Sequence, residues 1–208
     1  QHSTPRVEAQ LDLSFDVGDL GTYWWVDGQY QNVDRTLAEA NAYNNLNLGN
    51  NAAGTAIEDD YSDDVSVGAV GFGTKMTFQG LTFVATGFYN VGLGMQFQGN
   101  LNGAYSGSLD DRGKARHFYG GYLQATYDFG QGTSVGYSYG GNFMTKTGND
   151  MNNLGTMNGQ TMHSGMIWHN VTDNFRLVAE GGYTEKAWYL ADDDQEDSFG
   201  GVGAFFFW

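Results

Sequence analysis

The chain has 208 residues, among which are 32 glycines, one proline and no cysteine. Glycine costs about 1 kcal/mol per helix-interior position relative to alanine, so this composition favours strands and turns over helices. The absence of cysteine excludes a disulfide framework and thiolate metal sites. The net charge of −15 argues against nucleic acid as a partner, because phosphate neutralisation needs clustered Lys and Arg, and it makes cations the better candidates.

The chain carries no pattern of a membrane-spanning helix. Such a span needs about 20 predominantly apolar residues, whereas the longest uncharged stretch, residues 76–109, is interrupted repeatedly by glutamine, asparagine and glycine. The amino-terminus also lacks a basic region followed by an apolar core, so we expect any export signal to have been removed or to lie upstream of Gln1. Strands are therefore the predicted elements.

Two-residue alternation identifies the first strand. From Val7 to Val17 every second side chain is apolar, and the residues between them are polar or acidic. This period is typical of a strand with two different faces, and about 9 to 11 residues let a tilted strand cross a bilayer. The same reasoning predicts eight further strands, at residues 22–31, 64–78, 81–97, 117–129, 133–147, 161–171, 174–189 and 198–208.

The alternation assigns one apolar and one polar face to most of these strands. Lys75 orients the third strand, because a lysine facing lipid at the bilayer midplane would cost about 2 to 4 kcal/mol, and Phe72 then takes the lipid side. The strand that carries His163 stays unassigned, since both of its sides mix polar and apolar residues. Six polar-face residues are candidates for a pore wall, where they would line water: Lys75, Gln124, Asp128, Arg176, Glu180 and Lys186.

The connections between the predicted strands alternate in length. Tight turns are predicted at 79–80, 130–132 and 172–173, while 32–63, 98–116, 148–160 and 190–197 are longer polar loops. Short turns on one rim and long loops on the other are typical of transmembrane barrels. A lipocalin-like soluble barrel would share the alternation but has no reason for this asymmetry, so the pattern predicts an all-β, antiparallel, up-and-down transmembrane barrel.

Terminal aromatics and two hairpins carry a resemblance to a known family. The chain ends on Phe206, Phe207 and Trp208, and residues 117–139 and 168–180 read as hairpins with aromatic outer faces. In these features the chain is similar to the carboxy-terminal part of Gram-negative outer-membrane porins. The resemblance implies a location in the outer membrane, in contact with its lipid and lipopolysaccharide. It also implies a 16-stranded homotrimer that passes ions and small hydrophilic solutes, with Phe206 and Trp208 as the membrane-interface and assembly signature.

The predicted strand number leaves two alternatives open. Nine strands is an odd number, whereas bacterial single-chain barrels have an even number. Either residues 1–208 are a single barrel domain that is incomplete at its amino-terminus, or residues 7–17 are a periplasmic extension. The second alternative leaves a small eight-stranded barrel with a structural or adhesion role.

Two groups of loop acids and four histidines complete the candidate chemistry. Carboxylates on the outer rim would concentrate cations at a pore mouth or simply keep the loops solvated. His163 and His169 lie six residues apart on one strand face, too far to share a small metal ion without other ligands. We therefore predict no catalytic site, cofactor or metal, and we expect a cation-preferring channel. The loop acids are Asp59, Asp60, Asp63, Asp64, Asp192, Asp193 and Asp194.

Overall fold

A computed structural model of the chain describes residues 5–34, 64–93, 108–109, 114–148, 157–188 and 194–208. Within these residues nine strands form one antiparallel sheet, in which each strand pairs with the next along the chain. No helix in this part of the chain is long and apolar enough to span a membrane. The strands are β1 (Val7–Val17), β2 (Leu20–Asp34), β3 (Asp64–Phe78), β4 (Leu81–Val91), β5 (His117–Asp128), β6 (Thr133–Thr145), β7 (Met157–Thr172), β8 (Phe175–Trp188) and β9 (Gln195–Phe206).

The nine-stranded, up-and-down arrangement predicted from the alternation is confirmed. Strand β1 pairs with β2 along its whole length, from Val7 opposite Tyr30 to Val17 opposite Leu20. Residues 7–17 therefore belong to the sheet. The eight-stranded alternative, which required them to be an extension outside the sheet, is wrong.

Several strand ends differ from the prediction. Strand β2 continues to Asp34, β7 already begins at Met157, and β9 begins at Gln195. These additional residues are mostly polar, so alternation did not include them, but their backbone groups still pair with the neighbouring strand, as Asp34 does with Asp64. Polar strand ends can continue a ladder because the ladder bonds are made by the main chain. Strands β4 and β6 end at Val91 and Thr145, earlier than the predicted 97 and 147. The predicted residues 94–97 and 189 lie outside the described residues.

The connections define two rims of the sheet. Two residues join β1 to β2, β3 to β4 and β7 to β8, and four join β5 to β6. We call this edge the turn rim and the opposite edge, where the long connections lie, the loop rim. At the β3–β4 turn both Gln79 (φ 45°) and Gly80 (φ 84°) have positive φ, which is the type I′ geometry that matches the twist of a hairpin.

Gly80 is expected to be difficult to replace at the turn rim. A Cβ there would lie 2.8 Å from the carbonyl oxygen of Asp128, whose own N–H donates to the Gly80 carbonyl. Gly130 is the matched control, since its φ is also positive (75°) but no atom lies within 4 Å of a Cβ built on it. Gly130→Ala should lower the free energy of unfolding by about 1 kcal/mol through its backbone conformation alone, and Gly80→Ala by about 1 kcal/mol more. Urea titration of the full-length protein in lipid vesicles measures both values, and equal losses would contradict the steric argument.

The register separates the side chains into two faces that run across the whole sheet. We call the side of Leu11, Phe72, Leu123 and Val202 the apolar face, and the opposite side the polar face. On the apolar face these four side chains stay 75%, 61%, 45% and 89% exposed, respectively. The sheet therefore presents its large apolar side chains outward, which is the arrangement of a membrane barrel and the reverse of a water-soluble domain.

What is buried lies mainly on the polar face. Ser138 and Ser164 are each 2% exposed and share a hydrogen bond of 3.0 Å between their hydroxyl oxygens. A small apolar cluster of Phe118, Met144 and Met157 closes the loop-rim end of the same face. Packing within the chain thus concentrates on the side opposite the exposed leucines and phenylalanines.

Candidate functional site

The polar face carries all six residues that were predicted to line a pore. One registered row crosses the nine strands through Tyr23, Lys75, Gln124 and Ser138, so Lys75 and Gln124 lie at the same level two strands apart. Asp128 and Arg176 lie on this face near the turn rim, and Lys186 lies on it near the loop rim. Their assignment to a pore wall remains a prediction, because it depends on what fills the space in front of the face.

Two of the three cationic candidates are engaged by neighbours. Lys186 Nζ lies 3.2 Å from a carboxylate oxygen of Asp197 on β9, and its side chain is only 13% exposed. Arg176 Nε donates to Asn170 Oδ1 at 2.6 Å, and its guanidinium lies 5.5 Å from the centre of the Phe207 ring. Lys75, by contrast, is exposed.

The remaining candidates differ in how strongly they are held. Asp128 accepts a hydrogen bond of 2.8 Å from the backbone N–H of Gly130, so it stabilises the β5–β6 turn. Gln124 Nε2 lies 3.7 Å from Met166 Sδ. Glu180 is exposed on the polar face of β8. Within this set, Lys75, Asp128 and Glu180 are the exposed charged residues that water or solutes can reach.

A group of carboxylates on the first two strands was not selected from the sequence. Asp12, Asp16 and Asp27 all lie on the polar face, and β1 runs along the edge of the sheet. Asp12 accepts hydrogen bonds from the Tyr23 hydroxyl at 2.7 Å and from Gln10 Nε2 at 2.8 Å. Alternation had already placed these acids opposite the apolar side chains, and counting charge along each face would have singled them out.

The predicted loop acids fall largely outside the described residues. This applies to Asp59, Asp60, Asp63, Asp192 and Asp193. Asp64 is the first residue of β3, where it pairs with Asp34, and Asp194 is exposed just before β9.

Aromatic side chains border the apolar face at both rims. Near the turn rim, Tyr127 packs edge-on against Phe129 at 5.0 Å between ring centres, and Phe175 stacks on Phe206 at 4.7 Å. Near the loop rim, Tyr119 stacks on Phe143 at 5.5 Å. Tyr119 and Tyr127 lie eight residues apart on β5, which is roughly 26 Å along a strand at about 3.3 Å per residue and suits a tilted bilayer crossing.

Phe206 thus belongs to the aromatic border, because its ring stacks on that of Phe175. Trp208, the other residue of the predicted terminal signature, follows the end of β9 and is fully exposed. The assembly role predicted for this pair remains a prediction.

The structure assigns the face of β7 that alternation left open. His163 and His169 lie on the apolar face, because β7 pairs His163 with Tyr139 and His169 with Thr133. His163 Nδ1 forms a hydrogen bond of 2.6 Å with the Tyr137 hydroxyl, and His169 Nδ1 forms one of 2.8 Å with the Thr133 hydroxyl. Both hydroxyls belong to β6. Satisfying a polar ring in this way lowers the cost of its lying on an apolar surface.

The same fold is found in a known membrane channel. The structure is similar to the crystal structure of the outer membrane channel DcaP of Acinetobacter baumannii, with a TM-score of 0.70 and 15% sequence identity. The likeness covers 98% of this chain and 51% of that channel, so the chain spans about half the channel's length. No protein-family model and no curated protein matches the sequence. At this level of identity the likeness establishes the fold alone.

Proposed function

We propose that this chain is part of an outer-membrane porin that lets ions and small hydrophilic solutes diffuse through a water-filled channel. The observation that carries the proposal is the separation of faces, with exposed aliphatic and aromatic side chains on one side and Asp12, Lys75, Gln124 and Glu180 on the other. Hydrocarbon accepts the first side and water the second. The fold shared with an outer membrane channel supports the same function.

The edges of the sheet support a larger barrel. Among the described strands, β1 and β9 each have one neighbour, and both run towards the turn rim. An open edge cannot face hydrocarbon, because its backbone groups would lack hydrogen-bond partners. Two edge strands of the same direction can be joined in an antiparallel ring only by an odd number of further strands. We infer that the channel is completed in this way, as in the 16-stranded porins that the sequence resembles.

Cysteine substitution tests the pore wall directly, because these 208 residues contain no cysteine. In the full-length protein, Lys75→Cys should react with a water-soluble, positively charged thiosulfonate and thereby lower the conductance of a planar bilayer, because the attached group repels the cations that the proposed channel prefers. Phe72→Cys, three residues away on the apolar face, should leave the conductance unchanged under the same treatment. Equal effects at both positions, or a protein without steady conductance, would contradict the channel.

We also propose that the apolar face of β7, β8 and β9 packs against a second copy in a homotrimer. Gly165, Gly181 and Gly200 lie side by side there, and no atom lies closer than 3.5 Å to a Cβ built on any of them. Packing within the chain therefore does not require glycine at these positions. His163 and Tyr183 border the same patch, and polar groups suit a protein contact better than lipid.

Gly181→Trp should dissociate the trimer without unfolding the barrel. The indole would project from the patch, where the isolated sheet leaves space but a neighbouring subunit would not. Ala125→Trp, on the apolar face of β5, is the matched control and should keep the trimer. Native mass spectrometry of the detergent-solubilised protein distinguishes the two results, and a trimer that persists in Gly181→Trp would refute this interface.

The proposed channel prefers cations and contacts outer-membrane lipid and lipopolysaccharide. The net charge of −15 and the polar-face carboxylates of β1 and β2 support the cation preference, since a lumen lined by one sign of charge concentrates the opposite ion. The aromatic borders at both rims support the lipid contact. We propose no enzymatic activity and no cofactor.

A further inference from the structure

A recess of about 140 Å³ opens between β2, β3 and β4. Its polar-face lining combines two aromatic side chains, Trp25 and Phe88, with the carboxylate of Asp27 and the amide of Gln29. Gly71 lies between the strands that carry these groups, because it pairs with Asp27 on one side and with Phe88 on the other. The recess therefore joins aromatic surface and a single negative charge.

Two glycines on β3 create the recess. A Cβ at Gly71 would lie 2.7 and 2.8 Å from the two carboxylate oxygens of Asp27, and one at Gly73 would overlap the Trp25 ring. The carboxylate and the indole thus lie across the backbone of β3 and do not project away from the sheet. Tyr23 extends the aromatic surface, since its ring centre lies 5.4 Å from that of Trp25.

The Asp27 carboxylate is available to a ligand. It is partly buried, and it has no hydrogen bond or ion pair within the described residues. The neighbouring Asp12 already accepts hydrogen bonds from Tyr23 and Gln10, both at its Oδ1 atom. Lys75, the exposed cation on β3, is four residues from Gly71, which is roughly 13 Å along a strand at about 3.3 Å per residue.

We propose that this recess is a subsite for small organic cations, of the class in which a primary ammonium group is attached to a hydrocarbon or aromatic body. The ammonium donates hydrogen bonds to Asp27 and Gln29, the face of the Trp25 indole attracts it as a cation–π partner, and the hydrocarbon body packs against Phe88. The subsite deepens the proposed function and rests on it, because a solute reaches the recess through the water in front of the polar face.

The same lining disfavours inorganic cations. Ca²⁺ takes about six to eight oxygen ligands, whereas the side chains of the recess offer one carboxylate, one amide oxygen and the Thr86 hydroxyl. A hydrated K⁺ ion gains nothing from the aromatic walls, while an organic cation buries its hydrocarbon against them.

Isothermal titration of the full-length protein in detergent with phenethylammonium tests the subsite without requiring conduction. We expect Asp27→Asn to weaken binding at least tenfold, since it removes a charged hydrogen bond, and Trp25→Leu to weaken it several-fold. Asp16→Asn is the matched control, because it removes an equal charge from the same face near the turn rim, and it should leave the affinity unchanged. Phenethyl alcohol, the neutral analogue of the same size, should bind at least tenfold more weakly.

The outcomes separate this subsite from the channel itself. Full affinity in Asp27→Asn, an equal loss in Asp16→Asn, or equal binding of the neutral alcohol would each overturn the subsite. Planar-bilayer recording on the same samples tests the channel independently. A conducting protein that does not bind phenethylammonium would refute the subsite alone. A protein that binds it through Asp27 but does not conduct would refute the channel alone.

Discussion

Replacing Leu123 by lysine is expected to lower the stability of the folded protein in bilayers strongly, whereas the same change at the next residue, Gln124, is expected to be tolerated. Leu123 lies on the apolar face of β5 and is 45% exposed there. A lysine on a lipid-facing strand position costs about 2 to 4 kcal/mol at the midplane, which lowers the folding equilibrium constant roughly 30-fold to 1,000-fold. A loss of this size removes a large part of the roughly 5 to 15 kcal/mol by which folded proteins are typically stable.

Gln124→Lys is the matched control, because it places the same charge on the same strand but on the opposite face. It removes the contact between Gln124 Nε2 and Met166 Sδ and adds a cation where Lys75 already lies in the same registered row. Gel mobility with and without heating measures the folded fraction of each variant in outer-membrane preparations, and urea titration in vesicles measures its stability. Equal behaviour of the two variants would mean that the two faces of the sheet do not separate lipid from water.

The second large effect is expected on ion selectivity. The double variant Asp12→Lys, Asp16→Lys changes the charge of the polar face of β1 by four units, and both side chains are exposed. If this face borders the channel, the permeability ratio of potassium over chloride should fall on the order of tenfold, because fixed charges on a low-dielectric wall set the local counter-ion concentration. Reversal potentials across a planar bilayer with a salt gradient measure the ratio.

The control applies the same charge change away from the predicted lumen. Asp19 and Asp173 lie in the β1–β2 and β7–β8 turns, and the double variant Asp19→Lys, Asp173→Lys should change the ratio much less. A wild-type channel that prefers chloride would contradict the cation preference. An equal shift in both double variants would mean that the rim, and not the polar face of β1, sets selectivity.

The strands and their faces could be predicted because they depend on local pattern. A period of two identifies a strand wherever one side is apolar, and it assigned Leu11, Phe72 and Leu123 to one face without any knowledge of pairing. Two-residue alternation did not identify polar strand ends, such as Gln195 at the start of β9, because backbone pairing requires no apolar side chain. It left β7 unassigned because the hydroxyl partner of His163 lies on β6 and is invisible in the sequence around the histidine.

The candidate subsite could not be predicted for a related reason. Trp25 and Phe88 were not selected from the sequence, since nothing near either residue in the sequence indicates that they share a recess. Their approach depends on the register of three strands, which places Gly71 between Asp27 and Phe88. Register is a long-range property, and one residue of slip would move every side chain of a strand to the other face.

If the polar face lines the proposed channel, the pairing of rings with glycines on that face affects the width of the channel. Trp25 lies across Gly73, Phe88 approaches Gly120, and Phe199 lies across Gly182, in each case on a neighbouring strand. A ring that lies flat against the wall takes little of the bore, so an aromatic lining of this design narrows the conduit far less than its number of rings suggests. Alanine in place of such a glycine would tip the ring towards the axis. The glycine, although it has no side chain, thus controls the width of the passage.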